Sequence, residues 1–170
     1  SATEIFQRLD DVLAYLRDKM VVQLTVKRSV DYAGTIAAVL AADAQDFAFL
    51  EISTSDLQTL IPSISGFDLV YYLIDIGSNL SEIDVLLDTI ANPRAFMFEM
   101  NPSAEISALV ATRLHPAGVR AFTYDSSIAA SVAQLAAYYD QGFDVVSSQP
   151  GANGVTARIQ VNSARGVSPP

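Results

Sequence analysis

The stretch FAFLEIS at 47–53 is a short, nearly continuous apolar run that ends among polar residues, Glu51 and Ser53. Apolar side chains on both phases of a strand fit a parallel sheet, whose strands are buried on both faces. Five further runs share this texture. They are VVQLTVK at 21–27, DLVYYLID at 68–75, RAFMFEM at 94–100, VRAFTYD at 119–125 and FDVVSSQ at 143–149. They recur at intervals of about 22–27 residues, the length of a strand plus its crossover helix.

Helical patterns fill the intervals. TEIFQRLDDVLAYLRDK at 3–19 puts Ile5, Leu9, Val12, Leu13 and Leu16 on one face, with Thr3 as N-cap and Lys19 at the carboxyl end. Further helices are expected at 32–42, 55–64, 80–90, 103–115 and 127–142. Asn79 and Ser81 compete to cap the fourth, and Gly142 stops the last. Six strand–helix alternations without an extended linker predict one α/β domain of parallel βα repeats over residues 1–150. An incomplete or diverged TIM-barrel-like arrangement satisfies the pattern. So does an open doubly wound sheet. A full eight-stranded barrel usually needs about 200–250 residues or more, so this chain is short by roughly two βα units. Residues 151–170, with Gly, Ser and Pro and no strong helix signal, are expected to be an irregular tail in which VTARIQV forms at most a small strand.

The 170 residues carry a net charge of −9 and are 51% hydrophobic. That composition suits a packed core and disfavours a nucleic-acid binder. No apolar run is long enough to span a membrane. These features predict a soluble chain, secreted or periplasmic if a leader has been removed. The absence of cysteine excludes disulfides, thiolate nucleophiles and Cys-ligated zinc. No Gly-rich turn follows the first strand, SSQPGANG lacks a phosphate-loop lysine, and no Gly-x-Ser-x-Gly elbow occurs. His115, the one histidine, sits in HPAG, which reads as a turn between helix and strand with a structural or solvent-facing role.

In parallel α/β architectures ligands gather at the carboxyl ends of the strands. Those ends carry Lys27 and Arg28, Glu51 and Ser53, Asp75, Glu99 and Asn101, Tyr124 and Asp125, and Ser147 and Ser148. As a set they would line a shared mouth with a cationic pole and several carboxylates. Taken singly, each is also what ordinary solvation of a strand end looks like. Lys27 shares phase with Thr25 and Gln23. It would hold a phosphoryl oxygen, or pair with a neighbouring carboxylate.

The order of these segments resembles the carboxyl-terminal part of the glycerophosphodiester phosphodiesterase family. VVQLTVK resembles its third barrel strand, hydrophobic-Asn-hydrophobic-Glu-hydrophobic-Lys, and FLEISTSDLQTL at 49–60 resembles the next strand and helix. GVRAFTYDS at 118–126 is similar to Gly-x-x-x-x-x-Trp-Thr-Val-Asn, with Phe122 or Tyr124 at the aromatic site. GFDVVSSQP at 142–150 is similar to the terminal Gly-Val-Asp-Gly-Ile-x-Thr-Asp-x-Pro through Gly142, Asp144 and Pro150. The resemblance covers residues 10–150 and implies strands three to eight of a (β/α)₈ barrel. It implies a metal-dependent phosphodiester hydrolase using Mg or Ca, with a glycerophosphodiester ligand and Lys27 at the family's catalytic lysine. The early His-Arg-Gly and Glu-Asn motifs are not in this sequence. Thr25 stands where the family has a metal-ligating glutamate, and Ser148 and Gln149 replace its Thr-Asp pair. Glu51, Asp75 and Glu99 are candidates to rebuild a cation site, without family support for the transfer. The resemblance therefore implies a chain inactive by itself. Either an amino-terminal segment completes it, or it is a diverged relative that self-associates or binds a phosphate ligand or protein without hydrolysis. A non-catalytic α/β binding module unrelated to the family is the alternative.

Overall fold

The computed structural model describes residues 8–60, 63–77, 79–89 and 96–167. Its strands are β1 (Val22–Thr25), β2 (Ala48–Ile52), β3 (Tyr71–Gly77), β4 (Phe96–Met100), β5 (Arg120–Asp125) and β6 (Val145–Ser148). They form one sheet in chain order, β1-β2-β3-β4-β5-β6. The registers of β1 with β2, β2 with β3, β4 with β5 and β5 with β6 are all parallel. A doubly wound sheet reverses its order at a switch point. Here the order runs straight through, as in the wall of an α/β barrel. The fold is therefore α/β with parallel βα repeats, incomplete or diverged relative to a TIM barrel. The chain divides into two compact units, Ser1–Asp75 and Ile76–Pro170.

In the first unit, α1 (Leu9–Leu16) opens on Asp10 and Asp11, acidic residues suited to the amino end of a helix, and buries Leu13. The expected cap Thr3 lies outside the described residues. α2 (Tyr32–Ala41) buries Tyr32, Ile36 and Val39, a spacing of four and three that lines one helical face. α3 (Thr54–Leu60) follows β2. In β2, Ala48, Phe49, Leu50 and Ile52 are all buried, as both-face burial requires. In β3, Tyr72 stacks on Phe67 with ring centroids 4.2 Å apart and donates its hydroxyl to the Phe67 carbonyl at 2.8 Å. The hydrogen bond satisfies the one polar atom of an otherwise apolar buried ring. β1 is shorter than its sequence pattern. It ends at Thr25, so Lys27 and Arg28 lie beyond the strand.

The second unit holds α4 (Ser81–Thr89), α5 (Ala104–Leu109), α6 (His115–Ala117), α7 (Val132–Asp140) and α8 (Gly151–Ala164). The helix expected at 103–115 is interrupted by a π-helical turn over Val110–Leu114, which buries both end residues. The helix expected from 127 starts at Val132, because the Ser131 hydroxyl accepts the Gln134 N–H and caps it. Gly142 follows α7 with φ +100°, a conformation that favours glycine.

The irregular tail expected for residues 151–170 is corrected by α8, a helix of 14 residues. Gly151 and Gly154 each weaken a helix by about 1 kcal/mol, which is what the sequence pattern registered. Tertiary packing outweighs them. Ala157 and Val161, four apart, are buried in a cluster with Ala130, Leu135 and Tyr139. Asn153 donates to the Ala130 carbonyl at 2.9 Å, and Arg165 to the Tyr139 carbonyl at 2.8 Å. Among the described residues no helix is long and apolar enough to cross a membrane.

Candidate functional site

At the carboxyl end of β1 and β2, strand alternation places Gln23, Thr25 and Glu51 on one face, and the register pairs Thr25 with Glu51. The Thr25 hydroxyl donates to Glu51 Oε2 at 2.7 Å, and the Gln23 amide donates to the same oxygen at 3.2 Å. Glu51 is half-buried. Thr25 thus acts as a hydrogen-bond donor to a neighbouring carboxylate.

Beyond β1, Arg28 forms a bidentate pair with Asp31, Nε and Nη2 each 2.8 Å from a carboxylate oxygen. The guanidinium holds the Asp31 carboxyl below its ordinary range. Arg28 is therefore committed locally. Lys27 is exposed, and no ion pair involves it among the described residues. Ser29 and Ser53 donate to the two oxygens of Asp56 at 2.8 and 2.9 Å, and Ser53 Oγ accepts the Asp56 N–H at 3.1 Å. The buried Tyr32 donates to the Glu51 carbonyl at 3.0 Å. Burial, then the charges of Asp56 and Glu51, push its phenol up to about 12. Asp75 is exposed on β3, in phase with Glu51.

In the second unit Asp125 accepts three hydrogen bonds. Its Oδ2 accepts from Tyr138 and from Gln134 at 2.9 Å each, while Oδ1 accepts the Ser127 N–H at 2.9 Å. The carboxylate ties the end of β5 to α7. Tyr124 points to the opposite face and accepts a long bond from Gln149 at 3.4 Å. Glu99 on β4 and Ser148 on β6 are half-buried. Ser148 Oγ lies 3.0 Å from where a β-carbon at Gly154 would stand, so α8 approaches β6 closely there.

His115 lies at the amino-terminal side of β5. Its Nε2 is 3.0 Å from Asp144 Oδ2, and the same oxygen accepts the Ala121 N–H at 2.8 Å. The Asp144 N–H in turn donates to the Ala121 carbonyl at 2.8 Å. Asp144 therefore fastens the starts of β5 and β6, and His115 serves that latch.

A cleft of about 550 Å³ opens beside α5 and α7, lined by Pro102, Ser103, Ala104, Ser107, Tyr138 and Gln141. None of the strand-end residues expected to line a pocket borders it. The helix side chains that do border it had no signal in the strand pattern; Tyr138 is reached only through its bond to Asp125.

Ca²⁺ takes six to eight oxygen ligands, often several carboxylates, whereas Mg²⁺ takes six, of which one or two are carboxylates and several are waters. Among the described residues no group of three His, Cys, Asp or Glu side chains is arranged to hold a metal ion. Glu51 spends one oxygen on Thr25 and Gln23. The described residues therefore bring together no carboxylate-rich ligand set of the kind that Ca²⁺ takes.

These features define a parallel βα-repeat chain with a hydrogen-bonded polar rim. No protein-family model matches it, and no curated protein does. Its fold is similar to the crystal structure of a glycerophosphoryl diester phosphodiesterase from Parabacteroides distasonis, with a TM-score of 0.66 at 14% identity. The likeness covers 92% of this chain and 55% of that one, so the chain spans about half the length of the structure it matches.

Proposed function

We propose that this chain is part of, or a diverged member of, a glycerophosphodiester phosphodiesterase-like protein. In this reading residues 1–170 supply strands three to eight and a ligand-facing lysine, Lys27. Hydrolysis arises only with the amino-terminal histidine and carboxylate motifs. The observation that carries the reading is the fold likeness over 92% of the chain to a phosphodiesterase. The commitment of Thr25 to Glu51, and of His115 to Asp144, supports the second half of it. Lys27 would stabilise a phosphoryl oxygen by charge and reach, a role that needs no proton transfer.

The test is turnover of a glycerophosphodiester with Mg²⁺, Mn²⁺ or Ca²⁺ by the chain alone, and by a fusion carrying the missing motifs from a complete phosphodiesterase. The chain alone should be silent, and the fusion should turn over and lose that activity in Lys27→Ala. Turnover by the chain alone, or a folded but silent fusion, refutes the reading. A phosphate-binding module without hydrolysis is the second reading, favoured by the exposed Lys27. It requires calorimetric binding of glycerophosphate that Lys27→Ala abolishes while the fusion stays silent.

A further inference from the structure

Two Asn-x-Ser triplets occur in the sequence, Asn79-Leu80-Ser81 and Asn101-Pro102-Ser103. An Asn-x-Ser/Thr triplet is an acceptor for N-linked glycan when the middle residue is not proline. The second triplet is therefore blocked and the first is open. Asn79 and Ser81 are both exposed; Asn79 lies just before α4 and Ser81 is its first residue. The Ser81 hydroxyl donates to Asn79 Oδ1 at 2.8 Å, the contact between hydroxyl and amide that joins the two defining residues of the triplet. Asn79 Nδ2 donates to Glu82 Oε1.

We infer that Asn79 is an acceptor site for an N-linked glycan. The inference is independent of any hydrolytic function. In the transfer, Asn79 Nδ2 forms a bond to the anomeric carbon of a lipid-linked diphospho-oligosaccharide. The bond from that carbon to the phosphate oxygen breaks, the lipid diphosphate leaves with the electron pair, and one amide proton goes to a base of the transferase. The nitrogen keeps its second hydrogen. The product can therefore still donate to Glu82 and still accept from Ser81, so the turn ahead of α4 survives modification. A bulky glycan on an exposed side chain has solvent to occupy.

The experiment translates the full 170-residue chain behind a secretory signal in the presence of microsomes, then secretes it from a eukaryotic host. Expected is one glycan, removed by peptide-N-glycosidase with conversion of Asn79 to aspartate. Asn79→Gln and Ser81→Ala abolish it, Ser81→Thr keeps it, and Asn101→Gln leaves it in place. Microsomal scoring reads the nascent chain, so a variant that folds poorly is still informative. The secreted chain should melt at the same temperature before and after glycan removal. A protease-protected chain without glycan, or a glycan that persists in Asn79→Gln, overturns the inference. So does a glycosylated chain with a clearly lower melting temperature than its deglycosylated form.

Discussion

Replacing Asp144 by alanine tests whether the one histidine belongs to a latch or to chemistry. The carboxylate oxygen Oδ2 receives the Ala121 N–H at 2.8 Å and lies 3.0 Å from His115 Nε2. Asp144→Ala leaves the part-buried Ala121 N–H without its side-chain acceptor, at a cost of about 1–3 kcal/mol. The His115 contact is more exposed, with side-chain exposures of 42% and 35%, so its share is at most about 1 kcal/mol. The expected loss is about 2 kcal/mol. For a chain of this size that lowers the melting temperature by about 4–8 °C. Asp144→Asn keeps a neutral acceptor for Ala121 and should lose roughly half as much. His115→Ala should lose less than about 1 kcal/mol, and the double variant should show coupling between the two sites. Thermal and urea unfolding followed by circular dichroism give these values. An Asp144→Ala chain that melts with the parent refutes the latch. So does a His115→Ala fusion that folds normally yet loses all turnover, because the imidazole would then be serving chemistry.

Gly142→Ala should cost about 1–2 kcal/mol from the positive φ alone, with a further penalty because the new β-carbon would lie 3.2 Å from Val110 Cγ1; chemical denaturation checks it, and a neutral result contradicts the backbone account. Truncation after Pro150 removes the helix that covers Leu135 and Tyr139, and should produce strong binding of a hydrophobic dye. The milder Val161→Ala should cost about 2 kcal/mol from two lost methyl groups. An unchanged truncated chain would mean that α8 is dispensable. The Tyr32 phenol is pushed up to about 12 by burial, against about 10 in an unfolded chain. Between those values the unfolded chain has released the proton and the folded chain has kept it, so this contribution is full below pH about 10 and is lost as pH rises through about 12. Tyr72 is pushed in the same direction. Tyr32→Phe should therefore remove only part of the alkaline fall in stability, and an unaltered pH profile would contradict the burial of Tyr32.

The strands were legible because their signal is local and repeated. FAFLEIS and DLVYYLID are apolar on both phases, and each became a strand with buried residues on both faces. The choice between a barrel-like order and a doubly wound one was not legible. It depends on which strand neighbours which, a non-local pairing that hydrophobic pattern does not encode. α8 was missed for a related reason: Gly151 and Gly154 are visible in the sequence, whereas Ala130, Leu135 and Tyr139, which hold Ala157 and Val161, are brought to them only by folding. At the candidate site, the shared phase of Gln23, Thr25 and Glu51 could be read in part, because alternation within β1 relates the first two. The link to Glu51 required the register of β1 against β2. Lys27 was placed at the end of a strand that stops at Thr25, since Val26 and Lys27 continue the apolar–polar alternation without continuing the pairing.

The Thr25–Glu51 pair gives that register a consequence. Two carboxylates on directly paired residues of adjacent strands would repel, and each would favour protonation or a bound cation. Threonine at position 25 removes one charge and supplies a donor. The remaining carboxylate then closes its hydrogen bonds within the sheet, to Thr25 at 2.7 Å and to Gln23 at 3.2 Å. The serine bonds to Asp56 follow the same pattern: the acidic group is met by neutral donors from the first turn after β1 and from the end of β2. Neutral donors leave the carboxylate charge in place, and after burial that charge adds to the resistance of the Tyr32 phenol to ionisation. The strand ends of the first unit thus hold Glu51 and Asp56 through hydroxyl and amide donors, while Lys27, beyond the end of β1, is exposed.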